Sequence, residues 1–208
     1  MSELVSVITG TWGRPKTILE AAIPSVARQT YQPIEHLIVT DGRDEELNKV
    51  LLAEGYDFDG QFRKLVCLGR NWTLPFANGS NAAICRLVGT YLAAGEYVGC
   101  LDDDDLWDPG HVKQMIAAFS ETGADVIYSD FSYLNQGVRA GAPHTGSVGT
   151  STFMHRAAVV ARAGSWLPDG YCCDGRLAER WAAAGVSHAR KPGATVTVPV
   201  HNLGEPDK

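Results

Sequence analysis

The chain has 208 residues, 45% of them hydrophobic, and a formal net charge of -6. Its length and apolar content support a substantial core in one globular domain or two fused lobes, which excludes a disordered chain. The acidic balance argues against nucleic acid as the main partner, because a surface that holds phosphate backbones by bulk charge is basic.

The N-terminus, Met1 to Val5, has no basic segment followed by a signal-length apolar run. No stretch approaches the roughly 20 apolar residues needed to span a bilayer, so a cytoplasmic chain without a membrane span is expected. Leu4 to Ile8 is a short β-rich run leading into the loop Thr9 to Arg14, and Pro15 opens an amphipathic stretch from Thr17 to Gln29 with helical spacing. Glu35 to Val39 reads as a second strand, closed by Thr40-Asp41-Gly42, and Glu45 to Glu54 as a second helix stopping before Gly55. Phe62 to Leu68 is a third strand and Asn78 to Ala94 a long helix ending at Gly95. Tyr97 to Leu101 is a fourth strand, and it runs straight into Asp102-Asp103-Asp104-Asp105. Successive strand and helix units favour a parallel α/β sheet flanked by helices. Ligands of such sheets collect at the carboxyl ends of strands, so loops 9–14, 40–43 and 102–105 should converge on one crevice.

Beyond the acidic run, His111 to Glu121 reads as a helix and Ala124 to Tyr133 as a strand that can pair antiparallel. Residues 135–151 form a Gly-rich loop suited to holding an acceptor. Phe153 to Ala163 is expected to be helical, Cys173 to Ala184 is periodic, and Ala194 to Val198 is a last strand before His201. The chain divides into residues 1–110, ending in the acidic motif, and a smaller half, 111–208, within one compact unit. Cys67, Cys85 and Cys100 lie in apolar segments, as buried thiols in a reducing compartment do. Adjacent Cys172 and Cys173 lack zinc-ligand spacing.

Four adjacent carboxylates repel one another, at about 1 kcal/mol per pair in water and several at a partly buried site. A cation is the natural compensation, and oxygen ligands suit Mg2+ or Mn2+. If the extended geometry persists, Asp102 and Asp104 point one way and Asp103 and Asp105 the other. The alternative is an acidic turn capping the next helix from Asp105 or Asp108.

Together these residues resemble family 2 glycosyltransferases of the GT-A fold. The resemblance rests on Val5 to Ile8, the loop Gly10-Thr11-Trp12-Gly13-Arg14, Gln29-Thr30, Thr40-Asp41-Gly42, and Gly95-Glu96-Tyr97 leading to Leu101 to Asp105. It implies a Rossmann-type, mostly parallel sheet and metal-dependent, inverting transfer from a nucleoside diphosphate sugar, a UDP-sugar first, to a hydroxyl acceptor. Gly10, Thr11, Trp12, Arg14, Asp41, Asn81, Asp102 and Asp103 would then bind nucleotide. Trp12 would stack on uracil, with helix packing as its alternative role. Asp41 would accept the base's imide hydrogen, which cytosine lacks, with a plain Asp-Gly turn as its alternative. Asn81 competes with Asn78 and Arg86 for the nucleotide or diphosphate, and Asp103 would reach the ribose. Asp102, Asp104 and His201 would hold Mn2+ or Mg2+.

Asp174 would be the general base, or otherwise the cap of its helix, with Glu179 or Asp169 as substitutes. Cys173 departs from the family's common acidic neighbour and Gly175 from its common aromatic. A nucleotidyltransferase is the rival enzyme class, although the loop after the first strand only faintly echoes the Gly-rich basic signature of that group. A nucleotide-sugar-binding module without turnover is the rival non-enzyme. The acceptor is not named by the sequence, and neither is the oligomeric state.

Overall fold

The computed structural model describes residues 2–72, 82–133, 137–145, 147–169 and 172–199. A nine-stranded sheet runs through it in the order β3-β2-β1-β4-β8-β6-β9-β5, with β7 attached to β6. β1 (Val5–Thr11) and β2 (Ile34–Thr40) are buried along their whole lengths, as strands covered on both faces must be. β1 pairs in parallel with β2 and with β4 (Tyr97–Cys100), and β2 with the edge strand β3 (Arg63–Cys67).

Alternation along these strands feeds two cores. Val5, Val7 and Ile38 join Ile18, Ala22 and Val26 on one face, together with Met115 and Phe119 of α5 (His111–Thr122). Ile8, Leu37 and Val39 join Ala83 and Cys85 of α4 (Ala83–Leu92) on the other, together with Leu177 and Trp181 of α7 (Cys173–Ala183). The fold is therefore α/β, parallel on the β1 side as expected. Gly10 makes the α4 contact possible, since a Cβ there would lie 2.8 Å from Cys85 Cβ.

The second half is mixed. β8 (Phe153–Arg156) lies antiparallel between β4 and β6 (Val126–Tyr133), β6 pairs in parallel with the eleven-residue β9 (His188–Val198), and β9 carries β5 (Leu106–Trp107) at the far edge. β7 (Gly137–Arg139) extends β6.

Two expected helices are corrected. Residues 153–163 are not one helix: β8 fills the sheet position between β4 and β6, and only α6 (Ala158–Ala163) is helical. Residues 17–29 form α1 (Pro15–Glu20) and α2 (Ala22–Ala27), broken at Ala21. Pro24 has no amide to bond the Glu20 carbonyl, which removes the link across the break. α3 (Glu45–Ala53) stands as expected, with the Asp44 side chain accepting from Leu47 N at 2.9 Å. Among the described residues no helix is long and apolar enough to cross a membrane.

Candidate active site

The carboxyl ends of β1, β2 and β4 open on one cleft of about 280 Å³, lined by Gly10, Thr11, Trp12, Arg14, Asp41 and Asp102 to Asp104, with Ala82 and Arg86 from the start of α4. The three loops converge because parallel strands present their ends on one side. Trp12 is 49% exposed at the rim, so its indole is not spent on helix packing. Asp41 is buried; its amide donates to the Thr11 carbonyl at 2.9 Å and its Oδ1 accepts from Trp72 N at 2.7 Å. It is at once a turn residue and part of the cleft wall.

The acidic run does not stay extended. The Asp105 amide donates to the Asp102 carbonyl at 3.2 Å, which folds the four residues into a turn. Asp103 and Asp105 are buried while Asp102 and Asp104 are half-buried, and one guanidinium spans neighbours. Arg14 bonds Asp103 Oδ1 at 2.8 Å and Asp104 Oδ2 at 2.9 Å. Thr11 donates to Asp103 Oδ2 at 2.7 Å. Arg86 bonds Asp102 Oδ1 at 2.6 Å.

Much of the compensating positive charge is thus arginine. Burial pushes the Asp103 carboxyl up to about 7 against the pull of Arg14, and raises Asp105, where the Asp102 charge adds to it. Burial pulls the Arg86 guanidinium down, but the Asp102 carboxylate together with Cys173 and Cys100 outweighs it and the net shift is upward. Breaking a fully buried pair typically costs about 3–5 kcal/mol, because the survivor is left uncompensated; with Asp102 half-buried the cost here is smaller. Arg86 is the residue sequence reasoning undervalued, and its signal was a lone cation in the apolar run Ala83 to Val88.

Arg86, Asp102 and Asp104 also line a second cleft, of about 340 Å³, with Asp105, Phe131, Tyr133, Val148, Thr150, Cys172, Cys173 and Asp174. Asp174 stands in the first turn of α7, its Oδ1 accepting from Gly175 N at 2.7 Å. Burial raises its pKa, a shift the Gly175 amide and the Arg86 charge oppose. Gly175 is explained by packing: a Cβ there would lie 2.6 Å from Thr145 Cα, so the loop before residue 146 can approach α7 only without one. The two substitute bases are engaged elsewhere. Glu179 accepts from Thr145 N at 3.0 Å and Asp169 pairs with Arg180 at 2.5 Å, and neither lines the cleft. Asn81 and His201 lie outside the described residues.

The sequence matches glycosyl transferase family 2 over residues 6–178. It is 28% identical over 131 residues to the glycosyltransferase GlyG of Streptococcus pneumoniae serotype 4, a match covering 63% of this chain and 40% of that protein. It is 27% identical over 132 residues to the UDP-Glc:alpha-D-GlcNAc-diphosphoundecaprenol beta-1,3-glucosyltransferase WfgD of Escherichia coli, covering 64% of this chain and 47% of that one. The chain thus spans less than half the length of these two relatives. The fold is similar to that of S. aureus TarS 1-349 in complex with UDP, with a TM-score of 0.73 at 19% identity over 94% of this chain and 60% of that one. It is equally similar to the mannosyltransferase PcManGT of Pyrobaculum calidifontis in complex with GDP-Man and Mn2+, with a TM-score of 0.74 at 15% identity over 98% and 59%. The architecture is that of GT-A glycosyltransferases.

Proposed function

The chain belongs to glycosyl transferase family 2, and from that premise we propose that it transfers a sugar from a nucleoside diphosphate sugar, a UDP-sugar first, to a hydroxyl acceptor with inversion. The observation that carries this reading is the shared wall. One cleft ends at Trp12 and Asp41, the other at Asp174, and Arg86, Asp102 and Asp104 face both. A donor bound in the first presents its diphosphate at the wall, and an acceptor in the second reaches the anomeric carbon from the opposite side. The nucleotide-binding half is read as residues 1–110 and the acceptor half as 111–208.

In the first cleft Trp12 stacks on the base, Asp41 accepts its imide hydrogen, and Asp103, held by Thr11 and Arg14, meets the ribose. Asn81 and Gly10 complete the nucleotide set. The donor atoms at the wall fit a hard divalent cation: Asp102 and Asp104 are half-buried carboxylates, and each gives the cleft oxygen ligands. Among the described residues no three of His, Cys, Asp or Glu group to hold a metal unaided. His201 is the further ligand proposed from the chain itself. When bound, Mn2+ or Mg2+ supplies positive charge to the departing diphosphate.

Asp174 removes the acceptor hydroxyl's proton as that oxygen attacks. The pKa rise that burial causes makes its carboxylate a stronger base than an exposed aspartate. The cysteines of the described residues are free thiols, in keeping with a cytoplasmic site of action.

Calorimetric titration of UDP, GDP and CDP with and without Mn2+ tests the reading. Metal-dependent binding of UDP, followed by release of UDP from a UDP-sugar, supports it; failure of every nucleotide to bind overturns it.

A further inference from the structure

Arg86 projects from α4 into the partition between the two clefts, and its side chain is 8% exposed. Among the described residues it bonds Asp102 Oδ1 at 2.6 Å and Cys173 Sγ at 3.5 Å, and it lies over the ring of Trp166, whose centroid is 5.1 Å from Cζ. One contact reaches the acid run of the first cleft and another the residue before Asp174.

The start of α7 needs such a tie. Cys172 has a left-handed backbone at φ 64° and gives the helix no side-chain cap. The first turn packs into the second core through Cys173 and Leu177, with Thr145 against Gly175 on one side and Arg86 on Cys173 on the other. A guanidinium is the side chain that can do this, because its planar fork of donors bonds two acceptors at once; an ammonium on a flexible stem behaves as a point charge.

We propose that Arg86 is a positioning residue for the transfer step, bonding Asp102 and Cys173 together so that the Asp174 carboxylate is held at a fixed distance from the diphosphate end of the donor cleft. This rests on the glycosyltransferase reading. It assigns Cys173, which stands where the family's acidic neighbour is common, a task of its own: its sulfur accepts from Arg86.

The test compares wild type, Arg86→Lys, Cys173→Ala and Cys173→Ser. For each, UDP affinity is measured with Mn2+ by calorimetry, and the rate of UDP release is measured at saturating UDP-glucose or UDP-N-acetylglucosamine with water as acceptor. Arg86→Lys is expected to lower the rate about 30-fold or more while UDP affinity changes by no more than about threefold, since charge beside Asp102 is kept and the second bond is lost. Cys173→Ala should lower the rate about fivefold with affinity unchanged, and Cys173→Ser, whose hydroxyl can accept from Arg86, should recover most of it. Equal loss of affinity and rate in Arg86→Lys, or no difference between Cys173→Ala and Cys173→Ser, overturns the proposal. Should Arg86→Lys fail to fold, the two Cys173 variants decide it. A wild-type chain that binds no UDP or releases none from either donor fails the parent reading instead, an outcome separate from these.

Discussion

The two clefts share a wall but are built by opposite means. The first is made by neighbouring parallel strands, whose ends deliver Gly10, Thr11, Asp41 and Asp102 to one place by topology alone. The second is assembled from the acid turn, β6, the Thr150–Thr152 turn, β9 and the start of α7. Its parts come from distant stretches of the chain and meet over the second core, where Val148, Cys173 and Leu177 pack, with cross-contacts such as Arg86 with Cys173 and Thr145 with Gly175. A site on parallel strand ends is as rigid as the sheet, whereas one assembled from loops and the start of a helix can shift without unfolding the chain. Ligand binding should therefore be robust to change in the second half, and turnover should not.

The largest effect that tests this division is on Asp174. Asp174→Asn keeps the shape of a half-buried side chain and removes its basicity, so transfer should fall by about 10²–10⁴-fold while UDP affinity is unchanged. Loss of UDP binding in this variant would merge the two clefts into one functional unit. Asp104→Ala is the converse on the shared wall. It should weaken Mn2+-dependent UDP binding by about 10-fold to 100-fold, measured by titration with and without metal. Persistence of full metal dependence would remove Asp104 from that role.

What could be read in advance follows the same divide. Strand ends in a parallel sheet are predictable from chain order, so Trp12, Asp41 and the acidic run could be placed in one crevice without coordinates. The second cleft depends on distances in space that no local pattern encodes. Phe153 to Arg156 has no alternation to mark it as a strand; it becomes one because β4 and β6 flank it. Gly175 looked like a lost aromatic until Thr145 proved to need its space. The acidic run was legible as a demand for a cation, but its partners were not, since Arg14 and Arg86 lie 89 and 16 positions away in the chain. The break at Ala21 could have been anticipated from Pro24, whose missing amide interrupts the helical ladder.

Two glycines sharpen the comparison at smaller magnitude. Gly10→Ala would place a Cβ 2.8 Å from Cys85 Cβ, inside the core contact between β1 and α4, and should cost about 1–3 kcal/mol of stability. Gly175→Ala would place a Cβ 2.6 Å from Thr145 Cα, a backbone atom that must then shift. It should cost a comparable amount of stability and lower turnover about tenfold by displacing α7. Chemical denaturation and turnover at saturating donor, measured on both variants, should give similar losses of stability and a larger loss of turnover in Gly175→Ala. Equal losses of turnover would mean that the two clefts are equally stiff.

The smallest effect asks whether the sheet beneath the first cleft is as rigid as its topology implies. His36 on β2 is buried and neutral, bonded to Thr9 Oγ1 at 3.0 Å and Tyr56 Oη at 2.5 Å. Burial, aided by the Arg63 charge, lowers its pKa to about 3 from the ordinary 6.5. The unfolded chain therefore takes up a proton below pH 6.5 that the folded chain refuses. Stability is fully present above that pH and declines as pH falls toward 3, at a limiting slope of about 1.4 kcal/mol per unit for one histidine. His36→Gln should flatten the slope by about that amount between pH 6 and 4. The difference between the two proteins isolates this residue from the buried carboxylates, whose raised values shift stability in the opposite direction. If the slopes match, His36 is protonated in the folded chain, and β2 opens to water more readily than a strand buried along its whole length should.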